Sequence, residues 1–224
     1  MKGSRCPFFI LLLLILFTVS CTNVRKGENN ESVEFHGQEE IVKEKDTLVI
    51  DSELTFEEAT QGSIAPESMI RQLVLLDVDY LSTDGKIHRG QVLTNKKIET
   101  HIRHMFNFML ENNFVVEKVI PIVKYDWSDS LSMDDNNSSS FCYRNASYSK
   151  HATGMAIDIN PRFNPLRWKK SDKPNQPEGA VLDTTVNGTL HPEHIVVKEF
   201  RRLGFRWGHT FSKYYDDHHF ERNN

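Results

Sequence analysis

The chain has 224 residues, 38% hydrophobic and 26% charged, with 11 Gly and 8 Pro; this fits one sizeable core plus tails and excludes a collagenous or wholly disordered chain. Its formal charge is −4, and the first twenty residues hold two basic and no acidic side chains, so the remainder is more acidic still. That balance lacks the basic footprint of a nucleic-acid binder, and nucleic acid is not expected as a partner.

Lys2 and Arg5 precede an apolar block, Phe8 to Phe17. The block is about half the length that spans a bilayer, so residues 1–20 read as a signal peptide. Thr18-Val19-Ser20-Cys21 resembles a bacterial lipobox, with Thr18 where Leu is usual. Diacylglyceryl and acyl chains on Cys21 would anchor the product stably. The expectation is a lipoprotein of the bacterial cell envelope, tethered to a membrane and facing the periplasm or exterior. Beyond Cys6 and Cys21, Cys142 is left alone, so no intramolecular disulfide is expected. Between Phe141 and Tyr143, Cys142 reads as a small packing residue.

Residues 21–66 are polar and charge-rich and read as a flexible tether, with an r.m.s. reach of roughly 35–40 Å. Residues 67–222 read as the folded domain. Leu73 to Tyr80 predicts a strand, and Ser82-Thr83-Asp84-Gly85 followed by Val92-Leu93 predicts a hairpin. Ile98, Ile102, Met105, Phe106, Met109 and Leu110 recur at helical spacing, with Thr94 or Asn95 placed to cap. His101 and His104 on that helix read as surface or packing residues. Val115 to Val123 reads as extended through Pro121, and residues 128–140 as a loop. Pro192 to Leu203 predicts a short helix ended by Gly204, and Phe205-Arg206-Trp207 an extended stretch. Runs of strands and helices rather than strict alternation favour α+β: a small antiparallel sheet flanked by helices.

Two segments carry chemistry. In Ser149-Lys-His151-Ala-Thr-Gly154-Met-Ala156-Ile-Asp158, alternation after Gly154 puts Ala156 and Asp158 on one face. His151 and Asp158 meet only if the chain bends at Gly154, a residue that permits it. An Asp between apolar neighbours is costly to bury unless something compensates, and a cation would. In Tyr214-Tyr215-Asp216-Asp217-His218-His219-Phe220-Glu221, a His follows a carboxylate by three residues. Two imidazoles, a carboxylate and an open fourth position describe a catalytic zinc site, where the metal acidifies water and polarises a carbonyl.

The pattern Ser-x-His-x-x-Gly-x-Ala-x-Asp with a distant Asp-x-x-His-Phe resembles the zinc D-alanyl-D-alanine carboxypeptidase family, which includes VanY-type carboxypeptidases, VanX-type dipeptidases and L-alanyl-D-glutamate endolysins. Asn136 to Arg144, Asp158-Ile-Asn-Pro161 with Asn164-Pro165, and Gly204-Phe-Arg-Trp207-Gly208 are most similar to its endolysin-like branch, over residues 70–222. The resemblance implies a Hedgehog/D-Ala-D-Ala-peptidase-like fold and one Zn2+ held by His151, Asp158 and His219. It implies Asp216 as general base, Arg144 as the group that binds the scissile carbonyl, and Ser149 as a substrate contact. The implied activity is a peptidoglycan peptidase cutting stem peptides by metal-activated water, at L-Ala–D-Glu or at terminal D-Ala. Hedgehog signalling domains share the fold and metal site yet act as ligands, so a non-catalytic zinc-stabilised binding module is the alternative.

Rival assignments exist within the second segment: Asp217 as base and His218 as ligand. His219 before Phe220 favours the first register, because Phe220 then points into the core. Arg144 has a bland rival as a surface ion pair. His191, His194 and His209 read as capping or surface residues, and Trp207 as core. Two departures from the family pattern, His209-Thr210-Phe211 after Trp207-Gly208 and the Asp217-His218 spacer, lie near the site.

Overall fold

The computed structural model describes residues 48–144 and 149–223, which lie within one compact unit, Lys43–Asn224. Residues 1–20, the lipidation candidate Cys21 and the tether up to residue 47 lie outside the described residues. No helix among the described residues is long and apolar enough to cross a membrane.

The first elements fall inside the stretch read as tether. Strand β1, Val49–Ile50, pairs parallel with a later strand. Helix α1, Phe56–Thr60, starts at Thr55, which forms a capping box with Glu58. Gln91 accepts from Ser52 Oγ and Leu54 N, each at 2.7 Å, and returns a bond to Leu54 O at 3.0 Å. Ala59 is fully buried. The tether reading is therefore corrected for residues 48–66, which take part in the fold. Composition hid this segment because hydrogen bonds and a cap, rather than an apolar run, hold it. A four-residue helix, α2 (Glu67–Ile70), leads into the hairpin.

Strands β2 (Leu73–Leu81) and β3 (Ile87–Asn95) form that hairpin, in register from Leu73↔Asn95 to Leu81↔Ile87. Gly85, at φ +79°, turns the chain between them. Helix α3, Glu99–Glu111, packs Ile102, Met105, Phe106 and Met109 into the core with Leu76, Val78 and Val92. Asn95 caps the short 3-10 turn before it, accepting from Lys97 N at 3.0 Å. His104 contacts Glu199, and His101 Nε2 accepts from Arg222 at 2.6 Å, so both tie α3 to later segments.

The stretch 115–123 makes only isolated bridges, Leu81↔Val115 and Lys118↔Asn137. Pro121 then opens a 3-10 turn, Ile122–Tyr125. The segment read as a loop contains helix α4, Asp129–Asp134, capped by Ser128 on Leu131 N. Its Ser and Asp residues, read as turn formers, serve as cap and first-turn acid.

Three further strand pairs complete the fold. Strands β4 (Ala156–Asp158), β6 (Arg206–Trp207) and β8 (His219–Glu221) form an antiparallel sheet in the order β4-β8-β6, while β5 (Leu166–Trp168) pairs with β7 (Tyr214–Asp216). Helix α5, Ile195–Arg202, is capped by His194 and followed by Gly204 at φ +85°. Phe200 stacks on Phe220 with centroids 4.0 Å apart, which fastens β8 to α5. The architecture is α+β, as expected, but the strands make three small sheets and include one parallel pair rather than a single antiparallel sheet.

Candidate metal centre and its cleft

A 3-10 turn, His151–Thr153, ends at Gly154 in the left-handed region, φ +66°. Gly154 O accepts from Asn95 N at 3.0 Å and Thr94 Oγ1 at 3.1 Å. A Cβ on Gly154 would come within 2.8 Å of Asn95 N. Both its φ and the close approach of β3 therefore require glycine. The bend carries His151 back over β4, where Asp158 lies.

The second half of the site comes from strand register. Asp158 pairs directly with His219 across β4 and β8, and Ile157 with Phe220. Alternation then sends Ile157 and Phe220 into the core, leaving Asp158 and His219 together on the opposite face. Gly208 backs this arrangement: a Cβ there would lie 2.7 Å from Asp216 Cβ and 3.1 Å from His219 Cβ.

His151 Nε2, Asp158 Oδ1 and His219 Nδ1 converge. The edges of their triangle are 3.1 Å (His151–Asp158), 3.0 Å (His219–Asp158) and 3.0 Å (His151–His219), and all three residues are buried. Ligand atoms on a tetrahedral zinc with bonds of about 2.0–2.1 Å stand about 3.3–3.4 Å apart. A small tetrahedral cation therefore fits with minor adjustment.

The outer hydrogen bonds orient both rings for that role. His151 Nδ1 donates to Ser140 O at 2.7 Å, and His219 Nε2 donates to Glu221 Oε2 at 3.2 Å. In the neutral rings the lone pairs of His151 Nε2 and His219 Nδ1 then face each other and a carboxylate oxygen. That is repulsive unless positive charge sits among them. Proton affinities report the same field. Burial pushes the Asp158 carboxyl up, but His151 and His218 outweigh it and hold it well below the usual range. Burial pushes His219 down, but hydrogen bonds to Asp158 and Glu221 raise it to about 10. The donor set matches zinc: two imidazoles and one carboxylate, each oriented from behind.

The trio forms the floor of a cleft of about 430 Å³ whose walls include Arg144, Ser149, Asp216 and Glu221. Every site residue read from the sequence in the described part of the chain thus meets in one place. Asp216 is mostly buried, and His218 Nε2 stands 2.9 Å from its Oδ1. Arg144 Nη1 pairs with Asp129 at 3.1 Å, while its buried Nε has no acceptor among the described residues. The ion-pair reading of Arg144 and its place on the cleft wall therefore coexist.

The rival register is disfavoured. Asp217 is 1% exposed and turned away, its carboxylate taken by Arg167 Nε at 2.9 Å and His209 Nδ1 at 2.6 Å. His218 lies outside the converging trio. His209, read as capping or surface, instead stacks on Trp207 with centroids 4.5 Å apart behind the site. Cys142 is buried, and burial pushes its thiol up to about 11, as befits a packing residue.

Sequence reasoning missed Glu221. Its position two residues after His219 on a strand put it on the same face, which was the available signal. Replacing Glu221 by Gln removes the negative end of this orienting bond. It should weaken zinc binding by about 10- to 100-fold, measured by competition with a chelating dye, with the melting curve of the metal-free protein little changed.

Neither the curated proteins nor the solved structures searched gave a match to this chain. The family described as D-alanyl-D-alanine carboxypeptidase matches residues 143–222, a narrower span than the resemblance over 70–222. The matched segment holds the three converging ligands together with Arg144, Ser149 and Asp216. Over residues 143–222, the chain is similar to the D-alanyl-D-alanine carboxypeptidase family.

Proposed function

We propose that the protein is a zinc-dependent peptidoglycan peptidase with a Hedgehog/D-Ala-D-Ala-peptidase-like fold, hydrolysing stem peptides at L-Ala–D-Glu or at terminal D-Ala. The observation that carries this reading is the convergence of two oriented imidazoles and Asp158 on the floor of a cleft walled by Asp216 and Arg144. Bound zinc would supply Lewis acidity toward water and the peptide carbonyl. His151, Asp158 and His219 would hold it. Asp216 takes a proton from the attacking water and returns it to the leaving amine. Arg144, on the cleft wall, binds the carbonyl oxygen as charge builds there. Ser149 contacts the substrate beside the first ligand. The sequence of residues 1–21 supports placing this activity in the bacterial envelope, lipid-anchored through Cys21.

Purified muropeptides incubated with the protein, with and without a chelator, and read by mass spectrometry, test the reading. A chelator-sensitive loss of D-Ala identifies a carboxypeptidase, and release at L-Ala an endopeptidase. No product from protein carrying one zinc per chain overturns it in favour of a binding module.

A further inference from the structure

The two residues between Asp216 and His219 occupy a turn fixed from both sides. On one side Asp217 accepts from Arg167 and His209, and its main-chain oxygen accepts from Trp207 Nε1 at 2.8 Å. On the other side is His218, 4% exposed. Its main-chain oxygen accepts from Ile159 N at 3.0 Å, and its Nδ1 donates to Asn164 O at 2.7 Å. Asn164 is itself immobilised: its side chain donates to Ile159 O and Gly188 O, each at 3.0 Å, and accepts from Leu190 N at 2.6 Å.

The His218 ring is thus held on a fixed carbonyl, with Nε2 directed at the cleft. It meets Asp216 Oδ1 at 2.9 Å and stops 3.9 Å from Asp158 Oδ2. The contact with Asp216 is at ion-pair distance but off the line of a hydrogen bond. Asp216 Oδ1 has no hydrogen-bond partner among the described residues, and the ion pair given for that oxygen among them is the one with His218.

We propose that His218 is a positioning residue for Asp216, holding its carboxylate at the angle from which it serves the trio. This rests on the peptidase reading of the cleft. A short carboxylate side chain turns about two bonds, and a displacement near 1 Å at a reacting group can cost about 10²-fold in rate. His218 removes that freedom by linking the base to the Asn164 carbonyl behind β4.

The test compares zinc-loaded full-length wild type, His218→Phe and His218→Gln by crystallography and steady-state kinetics. His218→Phe keeps the ring volume without either nitrogen; His218→Gln keeps a side-chain donor. The Asp216 carboxylate should rotate or become disordered in His218→Phe while the ligands stay in place. Its kcat should fall about 10- to 100-fold with KM within a few-fold, and His218→Gln should recover part of the loss. An unmoved Asp216 in His218→Phe, or an unchanged kcat, overturns the proposal. If His218→Phe does not fold, the same readings on His218→Gln against His218→Ala decide it: equal kcat and equal Asp216 positions in the two reject the role. Absence of hydrolysis by wild type, with Asp216 displaced in the variant, rejects the peptidase reading and leaves the positioning role standing.

Discussion

Asp216→Asn lowers kcat for stem-peptide hydrolysis by about 10²- to 10⁴-fold and leaves one zinc per chain. Asparagine reproduces the size of the side chain but cannot take a proton from water. Because Asp216 stands outside the converging trio, the substitution removes the proton acceptor without removing a ligand. The measurement pairs single-substrate kinetics with metal analysis of the same preparation. Activity near wild type would move the base assignment elsewhere, and Glu221 is the next carboxylate on the cleft wall. Loss of zinc together with activity would mean that Asp216 supports the metal rather than the water.

His151→Ala abolishes zinc binding and lowers thermal stability. Removing one partner leaves Asp158, deeply buried and 3.0 Å from His219, short of the charge that compensates it. Breaking a buried charged cluster in this way costs about 3–5 kcal/mol, or about 6–20 °C in Tm for a domain of this size. Metal binding adds to the difference, because a site assembled from distant parts of the chain exists only in the folded state. Calorimetry with and without chelator separates the two contributions: wild type melts lower when stripped, while the variant melts at one temperature regardless. Zinc retained at one per chain in His151→Ala would remove His151 from the ligand set.

The ligands were legible because each sits in a local pattern with a physical meaning. Gly154 marks the bend that returns His151 to Asp158, and alternation around Phe220 selects His219 over His218. The strand at 73–80 and the helix beginning near Ile98 were legible for the same reason, since apolar periodicity reports a core face. Features held by hydrogen bonds were not. The segment at 48–66 is fastened by the Thr55 cap and Gln91, and α4 by Ser128, in sequences whose composition resembles loop. Nor does spacing reveal which carbonyl orients a ring: Ser140 O and Asn164 O reach their histidines from distant positions. His209, a departure from the family pattern, took its role from packing on Trp207 and the ion pair with Asp217, neither visible in one dimension.

The direct pairing of Asp158 with His219 separates chemistry from the chain that joins them. Between these strands the path runs through residues 169–186, with turns and an isolated bridge but no helix or strand, before Gly188 and Leu190 dock on Asn164. One of its residues, Gln176, lines the cleft. Doubling the length of such a connection costs only about 0.6 kcal/mol in closure entropy. The ligand strands would keep their register through the change. This stretch is therefore the replaceable part of the molecule, where segments of different length can reshape what enters the cleft while the bond-breaking apparatus stays as it is.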